Sequence, residues 1–432
     1  MLHSVPLESW GDPLELVRPL LGEPGAVLAF DGPRAVFACR PVARSLDLDP
    51  EPELRLEPNT SDAPRWFGLL PYEAFRGLER RSVVDTRARP LLDHVLWYRY
   101  SAVALFDAAG GRVEGDDPVA VEWLRAALAQ RRAGLTTERP ALPTPVQLSL
   151  REPLEAPELH ERRISQALTQ IAAGNLYQVN LARRFEFHVD GHPVEILRVL
   201  GHAARTTFAS AGAFEELSWV SASPELFLSL DAEGRLVTRP IKGTRPRGAG
   251  PEEDARLRRE LDDSEKERAE LAMVIDVERN DLGRISKTGT VQLTTHPHVV
   301  THATIHHREA TVTSRLREGV SRGELLRATL PSGSVTGAPK IRAMELIAEL
   351  EAERRGLYTG ALGWLGHDGS LRLSMAIRVL TIRGGRGHYF AGGGIVADSD
   401  PAAEVEETLW KARQLAALAP GLAPGLAPTL RG

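Results

Sequence analysis

Apolar and polar positions change rhythm partway along the chain. Up to about residue 130 the apolar residues come in short runs broken by Gly and Pro, as in "GAVLAFDG", "RAVFACR", "WFGLLPYEAF" and "SAVALFDAAGGRVEG". Such runs predict strands and hairpins. One helix, "DPVAVEWLRAALAQRRAG", closes this region, with Asp117 as its N-cap and Pro118 at the first helical position. Residues 134–157 are rich in proline and predict a linker rather than a packed element. Beyond residue 158, longer helical patterns alternate with strands. "PELHERRISQALTQIAAG" has helical spacing and "LYQVNLARRFEFHV" reads as a strand. "SWVSASPELFLSLD" and "GRLVTRPIKGT" predict a hairpin whose second strand ends at Lys242. The last stretch, "APGLAPGLAPTLRG", has too little apolar content to pack and is expected to be disordered. The pattern predicts an α+β protein: a strand-rich part over 1–133, a linker over 134–157, a mixed part over 158–418 and a tail over 419–432.

Composition narrows the class of function. Hydrophobic content of 42% and charged content of 26% are those of a soluble globular chain. A net charge of −5 gives no reason to expect nucleic acid or an anionic membrane as partner, and no apolar run is long enough to span a bilayer. The N-terminus lacks the basic start and apolar core of a signal peptide, so a cytoplasmic location is expected. The single cysteine, Cys39 in "AVFACR", excludes an internal disulfide and a Cys-based zinc cage and reads as an apolar filler.

Two helical segments share one device. Glu267 and Glu270 in "SEKERAELAMVIDVERND" stand at i and i+3 on one helix face. Glu404 and Glu407 in "DPAAEVEETLWKARQL" do the same, with Lys411 a further turn along. Such pairs are common on solvated helix faces. Two facing pairs, however, are oxygen ligands of the kind Mg2+ takes while keeping waters and substrate oxygens in its shell. "LPSGSVTGAPKIRAMELIAELE" is a glycine-rich turn entering a helix, where Ser334 and Thr336 offer hydroxyls and free N–H groups attract anions. "FAGGGIVADSDP" offers a second close approach of backbone through Gly393 and Gly394, although either stretch also reads as a plain tight turn. His302, Tyr358 and Arg378 are scattered candidates. Lys242, in "RPIKGTRPRG", is either a solvated cation or an amine placed to attack.

These same segments resemble the chorismate-utilising enzymes. "GNLYQVNLARRF", "SASPELF", "RPIKGTRPRG", "MVIDVERNDLGRI", "LPSGSVTGAPKIRAMELI", "YTGALGW", "MAIRVL", "AGGGIVADSDPAAEVEET" and "KAR" follow that family's order from about residue 160 to 415. The resemblance implies two stacked antiparallel β-sheets flanked by helices. It implies Mg2+ among Glu267, Glu270, Glu404 and Glu407, holding the ring carboxylate of chorismate. It further implies that Tyr358, Arg378, Gly394 and Lys411 hold the enolpyruvyl side. By the same resemblance Gly393, Ser334, Thr336 and His302 line the pocket with Gly243 and Thr244 of "PIKGT", and Glu225 of "SPE" is the general acid.

Within the family, a few residues separate the reactions. Members that add water carry a lysine base where this chain has Gln178, which argues against isochorismate formation. Anthranilate-forming members carry alanine in "PI-x-GT"; aminodeoxychorismate-forming members carry lysine, as here. Lys242 is therefore expected to be a covalent nucleophile, with Arg239, Arg245 and Arg247 available to favour its neutral form. The alternatives are an anthranilate-forming subunit and a non-catalytic subunit that keeps the fold for partner binding. Leu7, Glu8 and Ser9 resemble an element that binds feedback tryptophan. With no Cys/His glutaminase constellation in the chain, ammonia is expected from a separate glutaminase subunit.

Overall fold

The structure is a computed structural model that describes residues 2–7, 11–53, 55–78, 87–133, 147–150, 155–197, 207–215, 217–302 and 305–413. Glu8, Ser9 and the tail 419–432 lie outside the described residues, as does most of the expected linker. Two antiparallel sheets carry the fold. In spatial order the larger, twelve-stranded sheet runs β1 (His3–Leu7), β8 (Gly110–Gly115), β7 (Ala102–Asp107), β3 (Arg34–Ala38), β2 (Val27–Asp31) and β11 (Phe208–Ala213). It continues through β12 (Ser218–Ser223), β21 (Val379–Arg383), β22 (Arg386–Ile395), β10 (Gln178–Asp190) and β18 (Gly337–Ala338), with β9 (Gln147–Leu150) also on β10. The ten-stranded sheet runs β15 (Ile241–Pro246), β17 (Ile305–Arg315), β14 (Arg235–Arg239), β13 (Leu226–Leu230) and β20 (Leu371–Met375). It ends with β19 (Ala361–Gly366), β5 (Pro64–Leu70), β6 (Leu96–Arg99) and β4 (Ala43–Ser45), while β16 (Gln292–Thr301) pairs with β17.

The helices include α1 (Pro13–Val17), α2 (Pro118–Ala133), α3 (Pro157–Ala172), α4 (Pro251–Asp263), α5 (Glu265–Gly283), α6 (Arg322–Thr329), α7 (Lys340–Leu350) and α8 (Pro401–Arg413). Strand alternation sends one set of side chains between the sheets: Val27, Val36, Leu105 and Trp219 from the larger, Phe67, Leu69, Leu362 and Trp364 from the smaller. The opposite faces are covered by helices. Leu124 and Leu128 of α2 pack on the larger sheet with Phe37, Phe106 and Phe185, whereas Leu271 and Ile275 of α5 pack on the smaller with Leu230, Leu236 and Leu373. Cys39 is buried in the first of these cores, and burial pushes its thiol up to about 12, as befits a filler rather than a nucleophile.

The strands of the N-terminal 133 residues continue both sheets, five in the larger and three in the smaller, and two sequence expectations change. Part of the expected linker, β9, is a paired strand against Phe187–Asp190 of β10. The expected hairpin is present as β13 with β14, but its first segment, "SWVSASPELFLSLD", is two strands in different sheets, because β12 ends at Ser223 and β13 begins at Leu226. Asp117 caps α2 as expected, its carboxylate accepting from the Val119 N–H at 2.9 Å.

Helix α6 leads into the serine-rich turn of the site and begins with a capping box. The Ser321 hydroxyl accepts from the Glu324 N–H, and the Glu324 carboxylate accepts from the Ser321 N–H at 2.8 Å. Ser321→Ala should cost about 1 kcal/mol, read as a lower urea midpoint with an unchanged m-value.

Candidate active site

The site forms where the chain crosses from one sheet to the other. Pro224 and Glu225 span the gap between β12 and β13, and Ala376 to Arg378 span it between β20 and β21. The two crossings lie side by side: the Arg378 carbonyl accepts from the Ala222 N–H at 3.1 Å. Arg378 adopts φ 52°, a left-handed conformation that side chains other than glycine disfavour and that recurs at functional positions. Both Glu225 and Arg378 line a cavity of about 400 Å³, room for a small organic acid. Among the described residues the Arg378 guanidinium makes no hydrogen bond or ion pair, so its donors are available to an anion.

Glu225 is 4% exposed and accepts a hydrogen bond from the Ser334 hydroxyl at 2.9 Å. Burial pushes its carboxyl up to about 7, against the opposing pull of Ser334 and the Lys242 ammonium. A carboxyl poised near neutrality suits a general acid.

Lys242 lies within β15 rather than at a strand end. The pairing with β17 slips between Lys242 and Thr244, and Gly243 takes φ +73° at this bulge. A bulge of this kind re-aims a side chain. The Lys242 amine donates to the Ser334 carbonyl at 3.1 Å and stands 3.6 Å from where a Cβ on Gly394 would be. A larger residue at 394 would crowd it and would collide with the Gln178 carboxamide. The arginines expected to help Lys242 lose its proton are engaged elsewhere. Arg245 pairs with Glu260 at 3.1 Å, Arg247 with Asp254 at 2.7 Å, and Arg239 lies near Glu309. The charges felt across the cavity from Lys242 are the carboxylates of Glu225, Glu270 and Glu407.

Four carboxylates line one wall of the cavity. Glu267 and Glu270 come from the first turns of α5, and Glu404 and Glu407 from α8. Burial raises both Glu270 and Glu404, and their acidic neighbours add to it: Glu267 and Glu404 for the first, Glu407 for the second. Burial would also raise Glu407, but Lys411, Lys266 and Lys242 together outweigh it and lower it. Glu407 holds Lys411 at 2.6 Å, and Glu267 has Arg245 at 3.8 Å. The Lys266 ammonium bridges the two helices, 3.7 Å from Glu404 and 4.0 Å from Glu270. Among the described residues no three metal-ligating side chains converge into a cage. Two carboxylates with a cation between them nevertheless fit an ion that fills the rest of its shell with water and substrate. Gly393 underlies this wall, since a Cβ there would come 2.6 Å from a Glu404 oxygen.

Of the remaining candidates, Ser334, Tyr358, Thr244, Gly394 and Lys411 line the cavity, and Tyr358 stacks on Phe390 with centroids 5.5 Å apart. Three do not line it. Thr336 is fully buried, its hydroxyl donating to the Ser332 carbonyl at 2.8 Å. Gln178 is buried, its carboxamide filling the space a Cβ on Gly394 would take. His302 faces His307 at 3.0 Å, and its carbonyl accepts from Arg247 at 2.8 Å. Asn180, Tyr389 and Lys266 line the cavity without having been singled out. Asn180 is two residues beyond Gln178, so strand alternation alone puts it on the same face. Tyr389 stands two residues before Ala391 and four before Gly393, on β22.

The protein family described as chorismate binding enzyme matches residues 22–417. Over 249 residues the chain is 46% identical to "Aminodeoxychorismate synthase" of Streptomyces griseus, covering 58% of this chain and 34% of that protein. Over 257 residues it is 46% identical to "Anthranilate synthase component 1" of Streptomyces coelicolor, covering 59% and 50%. The chain thus spans a third to a half of the length of these curated relatives. The structure of anthranilate synthase component I from Streptococcus pneumoniae TIGR4 superposes with a TM-score of 0.71 at 28% identity, covering 96% of this chain and 92% of that one.

Proposed function

The chain belongs to the chorismate binding enzyme family, and from that premise we propose that it converts chorismate and ammonia to 4-amino-4-deoxychorismate. The observation that carries this reading is Lys242. Its amine enters the cavity beside Gly394, on the same rim as the buried acid Glu225. Attack of the neutral amine on C2 of the substrate ring shifts the ring double bonds and breaks the C4–O bond. Glu225 supplies the proton with which the oxygen leaves as water. Ammonia then adds at C4, the double bonds shift back, and the C2–N bond breaks to return the lysine amine. Arg378 and Lys411 bind the enolpyruvyl carboxylate, with Tyr358 beside them. Mg2+ would be held among Glu267, Glu270, Glu404 and Glu407, where it would neutralise the ring carboxylate. A separate glutaminase subunit is proposed as the ammonia source.

The lysine is what favours amination at C4 over C2. Chromatography of the products from chorismate, Mg2+ and ammonium tests it. The aminated, pyruvate-retaining product is expected; anthranilate with pyruvate, or isochorismate, would overturn the reading.

The general acid also sets a pH limb. Glu225 must carry its proton to act, and the proton is lost as pH rises through about 7. The chorismate-limited rate, corrected for free ammonia, should therefore fall above that pH. Glu225→Gln should be about a hundredfold slower and lack the limb.

A further inference from the structure

Behind Glu225 lies a second buried carboxyl that the proposed chemistry does not use. Glu278, on α5, is 2% exposed and does not line the cavity. Glu278 and the Ser332 hydroxyl lie 2.5 Å apart, a contact in which protonated Glu278 donates and ionised Glu278 accepts. The Ser332 and Ser334 hydroxyls lie 3.0 Å apart with either as donor, and Ser334 donates to Glu225 at 2.9 Å. Four side chains from three elements thus form one unbroken chain, of which Glu225 and Ser334 line the cavity and Ser332 and Glu278 do not. The groups facing Glu278 are Thr238 of β14 at 3.3 Å, Ser332, Asp281 on its own helix, and Lys340 of α7, which pairs with Asp281.

We propose that Glu278 is a positioning residue that restores the proton of Glu225 through the Ser332 and Ser334 hydroxyls. The inference rests on the reading of Glu225 as the acid that protonates the leaving oxygen. Once Glu225 has given its proton away, Ser334 passes its hydroxyl proton to Glu225. Ser332 passes its own to Ser334, and Glu278 passes its own to Ser332. Both serines end as hydroxyls, and one proton has moved from Glu278 to Glu225. The resulting Glu278 carboxylate keeps two hydroxyl donors, from Ser332 and Thr238, and has the Lys340 ammonium nearby. Glu225 is left neutral while the lysine adduct waits for ammonia, and the ammonium group of the product returns the proton along the same path. A filled cavity shuts Glu225 off from bulk water but leaves this route open. Burial pushes both carboxyls up to about 7, and each feels the other's charge or that of its neighbours: Glu278 raises Glu225, and Asp281 raises Glu278.

Glu278→Gln keeps the shape and an acceptor for Ser332 but removes the mobile proton. The expected result is a kcat about tenfold lower, with an unchanged KM for chorismate. The alkaline limb should move to lower pH, because the charge that helps Glu225 hold its proton is gone. A wild-type kcat and limb would overturn the inference, and so would a slower enzyme whose limb has not moved, since packing alone explains that. If the variant does not fold, rates of the wild-type enzyme in mixtures of H2O and D2O decide: several protons moving together give a curved dependence, and a straight line overturns the relay. Glu225→Gln separates the two ideas. If it turns over normally, the role of Glu225 fails; if it is slow while Glu278→Gln is not, only the relay fails.

Discussion

Lys242→Ala should make no 4-amino-4-deoxychorismate, a loss on the order of a thousandfold or more, as when an enzyme loses its nucleophile. The amine sits between the Ser334 carbonyl and Gly394, so removing it leaves a void beside the place proposed for C2 of the substrate. Glu225 and the acidic wall stay in place. Ammonia can then enter at C2 instead of the lysine, and the variant should gain some anthranilate as it loses its own product. Lys242→Arg should make neither, because a guanidinium stays protonated and cannot attack. Chorismate given to the wild-type enzyme without ammonia should leave an adduct on Lys242, visible by intact mass and located by peptide mapping. The carboxylates of Glu225, Glu270 and Glu407 act on this amine, whereas Arg245 and Arg247 are paired elsewhere. Wild-type rates from Lys242→Ala with free ammonia would reduce the lysine to an electrostatic contributor.

The alternation and helix patterns of the sequence made the two kinds of element legible, and the order of motifs made the site legible. What they could not show was where strands change sheets. "SWVSASPELFLSLD" is one extended run in sequence, and nothing in its period marks Ser223 as the end of one strand and Leu226 as the start of another in a different sheet. Glu225 owes its burial to that crossing, and Arg378 owes its left-handed backbone to the neighbouring one. The misplacement of Lys242 at a strand end has the same origin. Pro240 interrupts the ladder between β14 and β15, and both strands pair with β17 on either side of it. Short-range pattern also fails for Thr336, Gln178 and His302. Thr336 and Gln178 lie within two residues of cavity-lining positions, but their side chains are spent on a carbonyl and on the space beside a glycine, and His302 is spent on another imidazole. Glu278 went unremarked because a carboxylate in "DVERND" looks like one more charge on a solvated helix. Only the packing of β14 and the serine turn against α5 buries it.

Glu404→Gln should lower kcat/KM for chorismate by about 4 kcal/mol, roughly a thousandfold, and abolish Mg2+ binding measured by calorimetry on the substrate-free protein. The argument starts from repulsion. Glu404 is 5% exposed, its acidic neighbour Glu407 adds to the cost of its charge, and Ser399 donates to only one of its oxygens, at 2.7 Å. The other oxygen points over Gly393, where any side chain would exclude it. Glu270 on the facing helix is in the same position, and the Lys266 ammonium between them is a long, mobile cation at 3.7 and 4.0 Å rather than a close partner. A dication bound to both would relieve the repulsion more fully and leave coordination positions for a substrate carboxylate and water. Replacing Glu404 by Gln keeps its size but halves the charge of that pair, and Glu270→Gln should act alike. Glu407→Gln should do less to the metal and more to Lys411, because Glu407 holds that lysine at 2.6 Å. Its signature is a raised KM for chorismate with Mg2+ binding largely retained. A folded Glu404→Gln enzyme that binds Mg2+ like the wild type, or one that turns over chorismate normally in a chelator, would take the metal away from this wall.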